Sequence, residues 1–215
     1  MLSVVVGVVL RSGPGPVPVF SLTDLEDVYA GMVRSDGRNE ASVIHRQRLF
    51  EEPGHIVPAT CQPLFEATVL NQMPDEALDG VGTFWELNGS AVSLFTYRFS
   101  DVATADREFE RLARAFDNCR EAPVEIHARP AVKGLLRGMP AGATEGSARG
   151  LAYVLTSDDE TKLAVHVLAL SNTLTWQFRY EPLPGEYVPL TAERVMQSLT
   201  DQMNAILADL ATRER

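Results

Sequence analysis

The sequence predicts an α+β fold: a mostly antiparallel twisted sheet with helices packed on it, in a single domain. Three observations carry that expectation. Strand-like runs come in pairs joined by turn dipeptides, above all "GVGTFWEL" and "SAVSLFTYRF" around Asn88-Gly89. Both turn residues tolerate positive φ and so suit a two-residue hairpin. Apolar residues recur at helical spacing in separate blocks, as at Val102, Ala105, Phe109, Leu112, Ala113 and Phe116, which is one face of a helix. Finally, strands and helices do not alternate regularly, which argues against a doubly wound sheet.

The chain opens with "MLSVVVGVVLRSGPGPVPVF". Its apolar run, Leu2 to Leu10, is far shorter than the ~20 residues a membrane-spanning helix needs. It has the length of a signal-peptide apolar region, without a basic segment before it or a small-residue cleavage site after it. Two readings stand side by side: the remnant of an export signal clipped by a mis-assigned start, and an edge strand or frayed terminus. The "GPGPVP" behind it makes a stiff linker. Residues 1–20 are therefore set apart from a domain spanning 21–212.

Within that domain Ser21 caps a short helix, "SLTDLEDVYAGM", with Phe20 and Leu25 at the positions of a hydrophobic staple. A polar, breaker-rich stretch runs from Arg34 to about Pro58, and a second helix from Ala59 to Leu70. The hairpin follows, then a third helix from about Asp101 to Arg120. "PVEIHA" is a short strand. "RPAVKGLLRGMPAGATEGSARG" reads as a long, glycine-rich connection, of a kind that tends to be functional or mobile. Three strands come next, "LAYVLT", "KLAVHVLAL" and "TLTWQFRYE", linked by "SDDE" and by Ser171-Asn172. In the last, Leu174, Trp176, Phe178 and Tyr180 alternate with Thr175, Gln177 and Arg179, which predicts one buried face and one wet or partly wet face. A final helix opens at Thr191, with Leu190 and Val195 placed for a second staple. It buries Val195, Met196, Leu199, Met203, Ile206 and Leu210.

A length of 215 residues is ample for a real core. The net charge of −10, with no lysine or arginine run, argues against nucleic acid or an anionic membrane surface as the main partner. The histidines at 45, 55, 127 and 166 show no metal-ligand spacing. The acids at 158–160 lack the spacing of a calcium loop. "GMPAGATEG" lacks the lysine and hydroxyl of a P-loop, and no G-x-S-x-G elbow exists. No cofactor and no metal are expected. A small hydrolase- or isomerase-type enzyme would need two or three of His45, His127, His166, Glu86 and Asp158 to converge. A structural interaction module would instead show a large exposed apolar patch on a sheet face or edge.

The aromatic strands offer the candidate ligand site. Trp176, Phe178 and Tyr180, with Phe95, Tyr97 and Phe99 across the sheet, either floor an apolar cleft beside the 130–150 connection or form the core under the helices. Arg98 and Arg179 fall on the opposite strand faces and are exposed candidates for an anionic ligand.

Only two cysteines are present. Cys61, Leu64, Phe65, Thr68 and Val69 lie on one helical face, and Cys119 extends the stripe of the third helix. Both sulfurs then point into the core. Two free buried thiols are the plain alternative; a disulfide is the favoured reading, and it requires an oxidising compartment. Free thiols would instead place the protein in the cytoplasm. A nucleophilic role is disfavoured, because nothing basic sits within a turn of Cys61.

The arrangement of "PATCQPLFEATVL", a hairpin, "YRFSDVATADREFERLARAFDNC" and glycine-broken strands resembles the PknH-like extracellular sensor domain of actinobacterial kinases and lipoproteins. The resemblance covers roughly residues 22 to 212. It rests on Cys61, Phe99 closing the hairpin, Ala105 and Phe116 along the next helix, and Cys119 at its end. Departures exist: kinase-type members carry a second disulfide, for which no cysteines remain. A kinase domain, a spanning helix and a lipid-attachment cysteine are also missing from the sequence. The resemblance implies an exported, non-catalytic sensor-type domain of the cell envelope. Its central cleft would take an unidentified small molecule or envelope component. It transfers no catalytic residue.

Overall fold

The computed structural model of the chain describes residues 17–36, 42–44, 54–70, 72–87, 90–127, 131–139, 148–157, 160–180 and 189–213. The elements run α1 (Leu22–Asp36), β1 (Ser42–Ile44), β2 (His55–Val57), a 3₁₀ turn (Ala59–Leu64), β3 (Asp79–Leu87), β4 (Ser90–Arg98) and α2 (Val102–Cys119). They continue with β5 (Pro123–His127), β6 (Val132–Gly138), β7 (Arg149–Ser157), β8 (Glu160–Leu170), β9 (Thr173–Tyr180) and α3 (Pro189–Arg213). Among the described residues, nine strands form one sheet in the order β1-β3-β4-β9-β8-β7-β6-β5-β2. Every neighbouring pair is antiparallel. The α+β expectation holds.

Turn chemistry sets the register at the sheet's centre. Leu87 faces Ser90, so Phe84 falls opposite Ser93 and Gly82 opposite Phe95; Asn88 and Gly89 themselves lie outside the described residues. Leu170 likewise faces Thr173, and Ser171 takes φ 53°, the left-handed conformation such tight turns use. Asn172 then ties three segments together. Its side-chain oxygen accepts from the Phe20 N–H at 2.7 Å, and its amide donates to the carbonyls of Phe20 (3.1 Å) and Phe99 (3.0 Å). Asn172→Ala would strand three backbone groups in a site that is 1% exposed. A buried unsatisfied group costs about 1–3 kcal/mol. The expected result is a loss of at least about 2 kcal/mol by urea unfolding, with faster amide exchange in α1.

Both faces of the sheet are covered. On one, α2 and the 3₁₀ turn bury Phe65, Phe99, Leu112, Tyr153 and Trp176. On the other, α1 and α3 pack over Val81, Val92, Leu94 and Leu168. The start of α1 follows the predicted capping: the Ser21 hydroxyl accepts from the Asp24 N–H, and the Asp24 carboxylate accepts from the Ser21 N–H. Phe20 and Leu25 are 1% and 0% exposed, a closed staple. At α2, Asp101 caps the helix through the N–H and hydroxyl of Thr104, and these bonds hold its carboxyl below the usual carboxylate range.

Five expectations are corrected. The segment from Ala59 is not an α-helix but a 3₁₀ turn that loosens into turns before Leu70, because Pro63 within it has no N–H to donate. Its predicted face survives: Cys61, Leu64, Phe65 and Thr68 are buried and Val69 half-buried. The long connection contains β6, and the breaker-rich stretch contains β1 and β2. Glycine disguised β6, yet the ladder requires it: a Cβ on Gly134 would lie 2.3 Å from the Thr156 carbonyl oxygen. The polar face of β9 is not wet. Thr175, Gln177 and Arg179 are 0%, 4% and 8% exposed, since alternation reports the chemistry of a face and not what covers it. Tyr29 of α1 bonds Thr96 at 2.8 Å, and Thr96 bonds Thr175 at 2.7 Å, which satisfies part of that polar stripe. Finally, α3 starts at Pro189, ahead of Thr191. It buries Leu199 and Met203 and half-buries Met196, Ile206 and Leu210. The staple of Leu190 and Val195 lies outside the described side chains.

Candidate functional site

Cys61 and Cys119 are bonded, S–S 2.11 Å and Cα–Cα 5.7 Å, and both are fully buried. The bond joins the 3₁₀ turn that follows β2 to the end of α2, which leads into β5. Neither sulfur is available as a nucleophile.

The aromatic set divides in two. Tyr97 and Trp176, each 1% exposed, meet edge to face at 5.5 Å between ring centres and are sealed in the core under α2. Burial pushes the Tyr97 phenol well above its ordinary pKa. The Trp176 indole N–H finds no hydrogen-bond partner among the described residues. Phe95 and Phe178 lie at the rim of this core and stay half-buried. The side chain of Tyr180 lies outside the described residues. Phe84, which sequence reasoning did not single out, is 46% exposed and shares their face of the sheet. In one row across it, Ser93 sits between Phe84 and Phe178; Phe95 follows Ser93 by two residues on β4. The hairpin at Asn88-Gly89 already fixed Phe84 opposite Ser93, so that signal was present.

The arginines do not behave as a pair of open anion receptors. Arg98 makes two bonds to the Asp79 carboxylate directly opposite it, and that hydrogen bonding raises its pKa further. Arg179 is buried on the α1 and α3 side, against the expectation of exposure. A charged groove of about 310 Å³ lies elsewhere, between α2 and the segment before β3, lined by Asp75, Glu76, Arg107, Glu108, Arg111 and Arg114. Arg111 is held by Glu108 and Glu66, each at 2.7 Å, and its pKa is raised mainly through Glu108. Arg107 reaches Glu76 at 3.4 Å. Carboxylates thus offset most of the guanidinium charge there.

Of the residues named for a catalytic centre, the two with described side chains, His127 and His166, do not come together. His127 sits exposed on β5, and His166 is 7% exposed on β8, three strands away in the sheet order. At strand spacings of about 4.8 Å that is about 14 Å. His45, Asp158 and the side chain of Glu86 lie outside the described residues. Among the described residues no three His, Cys, Asp or Glu side chains form a group able to hold a metal, and no helix is long and apolar enough to cross a membrane.

No protein-family model matches the sequence, and no curated protein does. Among solved structures, the chain is similar to the extracellular domain of PknH from Mycobacterium tuberculosis. The TM-score is 0.57 at 10% identity, over 88% of this chain and 99% of that one. An uncharacterized Mycobacterium smegmatis protein, the ortholog of Rv0999, aligns at TM-score 0.48 and 15% identity, over 86% of this chain and 98% of that one. At the level of the fold, the chain is similar to the PknH extracellular domain.

Proposed function

We propose that this protein is a non-catalytic, extracytoplasmic sensor-type domain of the cell envelope. Its ligand, a small molecule or envelope component, rests on the aromatic strip of Phe84, Phe95 and Phe178. The observation that carries the compartment is the Cys61–Cys119 bond, within the fold of a domain described as extracellular. Disulfides persist in oxidising compartments and are rare in the cytosol. The strip supports an apolar or amphipathic ligand, since small-molecule sites are mostly apolar with few polar groups. Tyr97 and Trp176 act beside it on the same face as support, holding the rim aromatics in place. Alkylation of protein recovered from its producing cell should find no free thiol; a free-thiol population overturns export. The dye 8-anilinonaphthalene-1-sulfonate should bind the native chain at this strip. Phe84→Asp, at an exposed position, should weaken that binding at least tenfold; undiminished binding removes the strip from the proposal.

A further inference from the structure

The pairing of β2 with β5 sets His55 directly opposite His127. Their imidazole rings stack at 4.3 Å between centres and 3° between planes. Both side chains face solvent, because Ile56 and Ile126 beside them point into the core at 2% and 1% exposure, while His127 is 46% exposed. We propose that this pair is a two-imidazole chelate for a divalent first-row ion of the copper, nickel or zinc type.

Imidazole nitrogen is the donor these ions favour. It binds zinc at about 2.0–2.1 Å, so two donors on one ion stand about 3 Å apart. Facing residues on antiparallel strands hold their Cβ atoms about 5 Å apart. Imidazole lone pairs lie in the ring planes, so the parallel rings must tilt by about 45° each for the two nitrogens to converge on one ion, a rotation that the broad χ2 of histidine allows. Glu125, two residues before His127 and on the same face of β5, brings a carboxylate oxygen to 3.6 Å from His127 Nε2. A carboxylate there offsets the charge of the ion and faces His127 Nε2, which leaves Nδ1 to the metal. Lys133 holds the other Glu125 oxygen, which keeps Glu125 an outer partner and leaves the remaining coordination positions to water. The geometry is also braced. Cys61 follows His55 by six residues and Cys119 precedes His127 by eight, so the disulfide links the segments that carry the two strands. Pre-organisation of this kind lowers the cost of binding.

The test is calorimetric titration of the full chain, free of any histidine tag, with Cu²⁺, Ni²⁺ and Zn²⁺ in turn. One ion per chain is expected, with Cu²⁺ bound more tightly than Ni²⁺ or Zn²⁺. His55→Gln and His127→Gln should each weaken binding at least tenfold, and both sites are exposed, so circular dichroism should show the fold unchanged. Cys61→Ala/Cys119→Ala should weaken it as well, while leaving both ligands in place. Failure to saturate below about 1 mM, or parental affinity in the His55→Gln/His127→Gln double variant, overturns the proposal.

Discussion

Replacing both Cys61 and Cys119 with alanine is expected to lower stability by about 4 kcal/mol, the loop-closure value for a separation of 58 residues. Such a loss is a large share of the ~5–15 kcal/mol that holds a typical domain together. It arises mainly in the unfolded chain, where the bond keeps the whole β3–β4 hairpin and α2 inside one closed loop. The check is urea unfolding of the oxidised protein against the double-alanine variant. A difference under about 1 kcal/mol contradicts the loop-closure account. A local signature should accompany the global one. Among the described residues β2 has three residues and pairs only with β5, so its amides should lose protection before those of β8 and β9.

Trp176→Ala is the second large effect. The side chain is 1% exposed at the centre of the sheet, packed edge to face on Tyr97, with Phe95 and Val167 as its cross-strand partners. Truncating a buried tryptophan to alanine costs about 3–5 kcal/mol, because the cavity closes only in part. Trp176→Phe should cost distinctly less. It keeps most of the ring volume and removes an indole N–H that has no hydrogen-bond partner among the described residues, so part of a desolvation penalty is returned. Denaturant midpoints of the two variants decide this; equal losses would contradict it. The same pair bears on the ligand proposal, since Phe95 and Phe178 pack on this core.

Much of the sheet was legible because its signals are local. Asn88-Gly89 and Ser171-Asn172 permit only short turns, and a two-residue turn sets every pair along both ladders. Cys61 and Cys119 were legible as core positions for the same reason: each ends or opens an apolar stripe whose period is written in the chain. β6 was not legible. Gly134 weakens its strand signal, and the reason for that glycine is the Thr156 carbonyl of β7 pressed against it, a neighbour twenty-two residues away. The fate of Arg179 was hidden likewise, since its exposure depends on where α1 and α3 dock.

The candidate sites divide along that line. Phe95 and Phe178 were named from alternation alone, and their register with Phe84 follows from the hairpin. Which aromatics are sealed and which remain open follows from where α2 ends on the sheet, and no local pattern carries that. His55 and His127 carry no spacing signal at all, being 72 residues apart, and meet only because β2 returns to the far edge of the sheet beside β5. Sequence by itself determined the α+β class, the central register and the inward cysteines, because propensity, turn chemistry and periodicity act over a few residues. Tertiary structure alone decided the second covered face, the sealed and open aromatics and the histidine pair, because burial and contact depend on which distant segments pack together.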